Sequence, residues 1–453
     1  MPDKIPFHKS KFLFFRDFPR TLMDFLKRPN ISFMVPAIAV KVGLVALNFI
    51  LLSLAARTLE PDAFGNYSIL FSAVGLLSVV ATVGQEPFVL RMWNEITAAS
   101  DAAKLKGALY FTISLVLTGS IIATFSYHFW ANSLVDNMTV TSSLIYLAAL
   151  PLVLITMHLV RTEFGIILGD GVGSAIIMCS PIAYLLYCLF SGKEAELTHV
   201  FLALAFGACI SLVFQVTLIA KRIWSRFPDI GQNRAVLDYN DWIPRSLKFW
   251  MATTLDGISQ YIDVIIIGYL MDPVIAGAYF VTARLANLFA AAADAVNLVG
   301  TKYLPGLYYR DEKSALSGML DKLAWITFAF NAIGLVGILL GGYFVLYLIN
   351  EPYTQYFPEL LVLCIGTAAV GTVRTSSIML MMTGHEGRFL QISSASLVLR
   401  MICFVVFIPQ LGILGAVIAT TVSFVNQAIA IRWLDKSLTG QDSSMFRLLK
   451  RKL

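Results

Sequence analysis

The sequence predicts an all-α polytopic membrane protein, with about 12 transmembrane helices in two parallel six-helix lobes around a central cavity. Three observations carry that prediction: an apolar composition, a lopsided distribution of Lys and Arg, and an internal repeat at an offset of 212 residues.

The composition comes first. Of 453 residues, 58% are hydrophobic and 14% charged, with a mean hydropathy of +0.75. Soluble domains have roughly 45–50% apolar and about 25% charged residues. The excess must face lipid, and each crossing needs roughly 20 residues for ~30 Å of hydrocarbon. Hydropathy places spans near 33–56, 66–89, 106–129, 140–168, 172–190, 199–220, 247–270, 275–304, 322–349, 357–383, 388–407 and 411–433.

The basic residues then set orientation. Of 34 Lys and Arg, 27 fall on the side of the N-terminus, and only Arg57 and Lys193 on the other. Positive segments stay inside, so both ends are expected in the cytoplasm. The domains read as a basic, aromatic arm over 1–31, a lobe over 32–220, a cytoplasmic linker over 221–246, a second lobe over 247–433 and a basic tail over 434–453. The arm lacks the apolar core of a signal peptide and reads as lying on the membrane surface. The net charge of +6 follows from this layout and does not indicate nucleic-acid binding. All five cysteines lie in apolar runs without C-x-x-C spacing, so no metal site, disulfide framework or cofactor is expected.

The repeat makes two lobes of one chain. Leu59-Glu60-Pro61-Asp62-Ala63-Phe64-Gly65-Asn66-Tyr67 matches Met271-Asp272-Pro273-Val274-Ile275-Ala276-Gly277-Ala278-Tyr279. In the same register Asn48 maps to Gln260, and Arg161-Thr162 maps to Arg374-Thr375 within one residue. Each half has an even number of spans, so the halves share one orientation and are related by an axis along the membrane normal. That architecture permits rocking of one lobe against the other around a central site.

Ionisable residues within spans are costly and mark pathways or pairs. Five cations lie there: Lys41, Arg161, Arg284, Arg374 and Arg400. They are the candidate substrate-binding residues, since guanidinium groups suit phosphate oxygens. Asp256, Asp263, Asp294 and Glu86 are candidates for ion coupling. Asn48, Gln85, Gln260 and Asn287 are expected to line the cavity. Asp256, Gln260 and Asp263 fall on one helix face. Arg161 and Arg374, each ten residues before a turn, are expected ~15 Å deep at 1.5 Å per residue. Pairing of these charges with one another is the alternative for each, with Asp263 and Arg284 as one such pair. Asn426 and Gln427 read as interhelical hydrogen-bonding groups.

The segments Arg57 to Tyr67, Ile262-Asp263, Gly277-Ala278-Tyr279, Ala283-Arg284-Leu285, Thr383 to Arg388 and Leu411 to Ala416 together resemble the polysaccharide transporter (O-antigen flippase) family. This family is part of the multidrug, oligosaccharidyl-lipid and polysaccharide exporter superfamily. The resemblance covers about 32–433. It implies translocation of an undecaprenyl-pyrophosphate-linked oligosaccharide across a bacterial plasma membrane for surface polysaccharide biosynthesis, coupled to an ion gradient. It further implies a monomer working alongside a polysaccharide polymerase and glycosyltransferases. Two features depart from the family pattern: the polar Gln85-Glu86-Pro87 and the aromatic arm. A drug/ion antiporter of the same superfamily is the alternative, disfavoured by the five cations. An enzyme such as a polymerase or ligase is disfavoured by short outer loops, and the chain lacks a phosphate-binding Walker motif.

Overall fold

A computed structural model describes residues 34–287, 300, 304–310 and 312–450. The expected arm over 1–31 and the candidate Asp294 lie outside the described residues. The described regular structure is helical. Its helices are α1 (Met34–Thr58), α2 (Pro61–Ala81), α3 (Gln85–Ala99), α4 (Ala102–Ala131), α5 (Asn137–Phe164), α6 (Gly173–Ser191), α7 (Leu197–Arg226), α8 (Tyr239–Leu270), α9 (Pro273–Ala286), α10 (Lys313–Ile349), α11 (Phe357–Thr372), α12 (Arg374–Met382), α13 (Glu386–Leu411) and α14 (Ile413–Thr439).

Ten of the passes are long and apolar enough to cross a membrane, with α11 and α12 forming one of them. The other two are α8 and α9. The 32 residues of α8 are long enough, but Asp256, Gln260 and Asp263 lower its hydropathy. The helix α9 is described only as far as Ala286. The chain is thus a multi-pass membrane protein, with α8 and the described part of α9 standing where the repeat expects two further passes. Helix ends extend into the expected linker: α7 runs to Arg226 and α8 begins at Tyr239, which leaves 227–238 as the connection. This connection is strapped to α4, where Lys106 Nζ donates to the carbonyls of Gly231 and Asn233, both at 2.9 Å. We call that end of the bundle the linker end and the opposite one the far end.

The expected second span is broken. Val83 and Gly84 adopt left-handed φ values of +49° and +69° and divide it into α2 and α3. This accounts for the polarity of Gln85-Glu86-Pro87, which opens a new helix instead of closing a membrane span. Helix α3 buries Phe88, Val89, Met92, Trp93 and Ile96 and exposes Arg91, Asn94 and Glu95, the pattern of a helix lying at an interface. The tenth span is also interrupted, at Val373.

Pro61 and Pro273 are the first residues of α2 and α9, where a missing N–H costs nothing. Four residues on, the two repeated glycines meet each other. A Cβ on Gly65 would run into the Pro273 carbonyl, and one on Gly277 would lie 2.9 Å from Phe64 and 3.3 Å from the Gly65 backbone. The equivalent helices of the two lobes therefore cross at their far ends with backbone against backbone. Small residues permit such crossings in lipid, where packing replaces the hydrophobic effect.

Within each lobe a second repeat appears. Ser211 and Gln215 of α7 map to Ser423 and Gln427 of α14 at the same offset of 212. Ser211 donates to the Gly173 carbonyl and Ser423 to the Ser396 carbonyl, at 2.9 and 2.7 Å. Gln427 reaches Ser393 of α13 at 3.3 Å, an interhelical bond as expected from sequence.

Candidate functional site: the space between the lobes

The lobes touch along an asymmetric seam. Helix α2 packs on α8 and on α9, and α3 also packs on α8. Polar ties hold this seam toward the linker end. Trp250 Nε1 donates to the Val80 carbonyl at 2.9 Å, Gln85 Nε2 to Ser246 Oγ at 2.9 Å, and Arg245 reaches Glu95 at 3.3 Å. The repeat-equivalent of the α2–α8 pair is α9 with α1. Those two helices do not pack along their length among the described residues. At the far end the lobes close again. Arg57 donates to the carbonyls of Ile349 and Leu348, and Asn350 Nδ2 to the Ala56 carbonyl at 3.1 Å. The far ends of α1 and α10 are therefore tied across the lobes.

Arg284 of α9 stands beside the contact of α8 and α9 with α2. Its guanidinium carbon stands 4.9 Å from the Phe280 ring centroid and 5.7 Å from that of Tyr261 on α8. Among the described residues no carboxylate lies within ion-pair distance of it. Tyr67 is within its electrostatic reach. Gly75 of α2 makes room for Tyr261, since a Cβ there would lie 2.8 Å from the ring. A cation held by aromatic faces can bind an incoming anion without first breaking a salt bridge.

Toward the linker end a second group assembles from both lobes. His158 Nε2 lies 3.7 Å from Glu86 Oε2, and Arg161 pairs with Asp170 at 3.2 Å. The charges of Arg161, Asp170 and Asp256 act on Glu86, and that of Lys41 acts on His158. Asp256 and Gln260 of α8, Asn48 of α1 and Asn287 at the end of α9 are exposed at helix positions meant for lipid or cavity.

Other candidates sit elsewhere. Arg400 was expected in the cavity and is instead in the core of the second lobe, 1% exposed. Its NH1 contacts both oxygens of Asp263, at 2.9 and 2.8 Å, and NH2 reaches Ser259 Oγ at 3.1 Å. Tyr279 donates to Asp263 at 3.1 Å. Asp263 therefore pairs with Arg400, not with Arg284, and its charge is already neutralised. Asp256, Gln260 and Asp263 do share a helix face, but the outer part of that face packs on α13 and α14 while the inner part faces the opening. The reason is depth along one helix, which periodicity does not encode. Gln85 is buried in the seam, bound to Ser246 and Thr112, so it ties the lobes instead of lining a cavity. Arg161 falls in the last turn of α5, because that helix ends at Phe164 and a π-helical turn, Ile167–Val172, follows. The expectation of ~15 Å depth from its distance to the turn therefore fails. Arg374 opens α12 and is half-buried.

Sequence reasoning missed His158, Asp170 and Tyr261. Asp170 stands in an apolar run and could have been flagged by the cost of a charge there. His158 lies three residues before Arg161, which puts both on one face of α5.

No family model and no curated protein matches the sequence. Solved structures do match its fold. An inward-facing multidrug resistance MATE family transporter of the MOP superfamily aligns with a TM-score of 0.65 at 14% identity, covering 89% of this chain and 98% of that one. A MOP superfamily transporter from Pyrococcus furiosus Vc1 (DSM3638), whose reversed binding-pocket polarity suggests a different function, aligns at 0.64 and 14%, covering 90% and 95%. An outward-facing MATE structure aligns at 0.62 and 14%, with the same coverage. The class defined is a two-lobed helical membrane protein. More particularly, the fold is that of the MATE transporters of the MOP superfamily.

Proposed function

We propose that this chain is an alternating-access transporter that moves an amphiphilic anion, with an undecaprenyl-pyrophosphate-linked oligosaccharide as the specific cargo. The observation that carries this reading is Arg284: a guanidinium between the lobes, bracketed by aromatic rings and facing no described carboxylate. Lys41 adds a second cation nearer the linker end. Among the described residues α1 and α9 do not pack along their length, which leaves a lateral path for a lipid tail while the head group lies between the lobes. In this reading the linker end is cytoplasmic, the membrane is a bacterial plasma membrane, and the cargo crosses chemically unchanged. Supply and use of the cargo then fall to glycosyltransferases and a polysaccharide polymerase.

The drug/ion antiporter is the second reading, and the fold comparisons favour it, since the matched structures are described as multidrug transporters. Asp256, exposed on α8, is the group that would meet a cationic drug. The two readings separate in proteoliposomes of the full chain. Translocation of a fluorescent undecaprenyl-pyrophosphate glycan, with no flux of a lipophilic cation dye, supports the anion reading. Dye flux driven by an ion gradient, with the glycan left in place, refutes it and establishes antiport.

A further inference from the structure

We propose that Glu86 and His158 form a proton-binding pair that links proton uptake to contact between the two lobes. This rests on the transporter reading only for its use in a cycle; the proton site itself follows from geometry.

The tautomer comes first. His158 Nδ1 lies 2.8 Å from the Leu154 carbonyl. A carbonyl oxygen only accepts, so Nδ1 carries the hydrogen. The other ring nitrogen, Nε2, then presents a lone pair in the neutral ring, and it faces Glu86 Oε2 at 3.7 Å. Two lone pairs facing one another repel. One added proton, on either atom, turns that repulsion into a charge-assisted hydrogen bond after a small rotation. Both side chains are largely buried, at 17% and 18% exposed. The second carboxylate oxygen, Oε1, is buried and accepts no hydrogen bond among the described residues. An unsatisfied buried carboxylate is costly, and a proton relieves that cost.

The surroundings decide what the proton does. Helix α5 supplies Arg161 beside His158, and the π-helical turn supplies Asp170, which neutralises Arg161 at 3.2 Å. Helix α1 supplies Lys41. Helix α8, from the other lobe, supplies Asp256. Helix α4 presents Thr112, engaged by Gln85. Further along α3, Glu95 is engaged by Arg91 and Arg245, and Glu163 on α5 is held by Arg222 and Arg226. From across the seam, Asp256 acts on Glu86, where the charge of Arg161 opposes it. Its negative charge attracts the added proton while the lobes are in contact. Moving α8 away removes that attraction, so lobe separation and proton release accompany each other. Gln85, next in sequence to Glu86, is bonded across the same seam to Ser246, which places the pair where the separation would begin.

The test uses the full-length protein in lipid bilayers with 15N-labelled histidine. The sequence holds five histidines, and H158Q identifies the signal of interest. His158 is expected as the Nδ1-protonated tautomer with Nε2 titrating. In E86Q its proton affinity should fall about tenfold or more, and in D256N by a smaller factor, because removing a nearby negative charge disfavours the protonated ring. A titration unchanged by E86Q, or a ring protonated on Nε2 alone, overturns the proposal. A titration moved by E86Q but not by D256N overturns the link across the seam. Should H158Q not fold, a carboxyl infrared band that titrates in the native protein and is missing in E86Q reads the same proton. Neither readout uses a cargo, so failure of the glycan reading would leave this site standing.

Discussion

At the scale of single residues, Arg284 and Arg400 show how one residue type serves two ends. Both are arginines in apolar helices, and sequence alone treats them alike. Arg400 has Asp263, Ser259 and the Phe424 ring around it. Among the described residues, Arg284 has the rings of Phe280 and Tyr261 beside it and no carboxylate within ion-pair distance. Replacing Arg400 with Met leaves Asp263 buried and uncompensated, a loss of about 3–5 kcal/mol. Thermal unfolding in detergent should show it, and the double variant D263L/R400M should recover most of it. Arg284→Ala should leave melting nearly unchanged while lowering translocation of the anionic glycan at least about tenfold, the effect of losing one charge-assisted contact. Equal melting losses in both variants would mean that Arg284 is structural as well. The presence of these charges was legible in the sequence. Their partners were not, because pairing between α8 and α13 joins residues 137 apart in the chain.

At the scale of helices, the repeat was the most informative signal, and the structure gives it a sharper meaning. The Pro-x-x-x-Gly-x-Tyr loops start two helices and also bring those helices together at Gly65 and Gly277. A side chain there must displace backbone, so Gly65→Leu should cost about 3 kcal/mol, the upper end for overpacking. Gly318 in α10 has nothing within 4 Å of its would-be Cβ. Gly318→Ala should therefore be neutral or stabilising by up to about 1 kcal/mol. Melting temperatures of the two variants decide the matter, and equal shifts would refute the crossing. The break at Val83-Gly84 was less legible. Hydropathy continues through it, and only the polar Gln85-Glu86 that follows hinted at a new helix. Left-handed backbone at Val83 is held by the neighbours of Gly84, Trp250 and Ser246 of the other lobe, which no local pattern reveals.

At the scale of the whole molecule, twelve passes in two lobes could be read from composition, charge and repeat. The ties of the α2–α8 seam could not, because Val80, Gln85 and Glu95 meet Trp250, Ser246 and Arg245 across 150 to 170 residues of chain. In this conformation Arg57 and Asn350 tie the far ends of α1 and α10 together. Cysteines at positions 56 and 350, in a background lacking the five native cysteines, should cross-link with a short reagent. Cross-linking should bring transport down to background, and reducing a cleavable linker should restore it. Full transport by the cross-linked protein would show that the far end need not open.

The glycine crossing lies at the far end of α2, opposite the polar ties to α8, and that has a mechanical consequence. Close backbone contact fixes this crossing, so it acts as a fulcrum and the helices as lever arms. Helix α2 has 21 residues, an arm of about 31 Å at 1.5 Å per residue. A swing of only about 10° about its fixed end would part the free ends by about 5 Å, the scale of known domain closures. The protein gains a large aperture from a small angular motion. The free ends lie toward the linker end, where the bonds of Trp250, Gln85 and Arg245 are the ties that must break first.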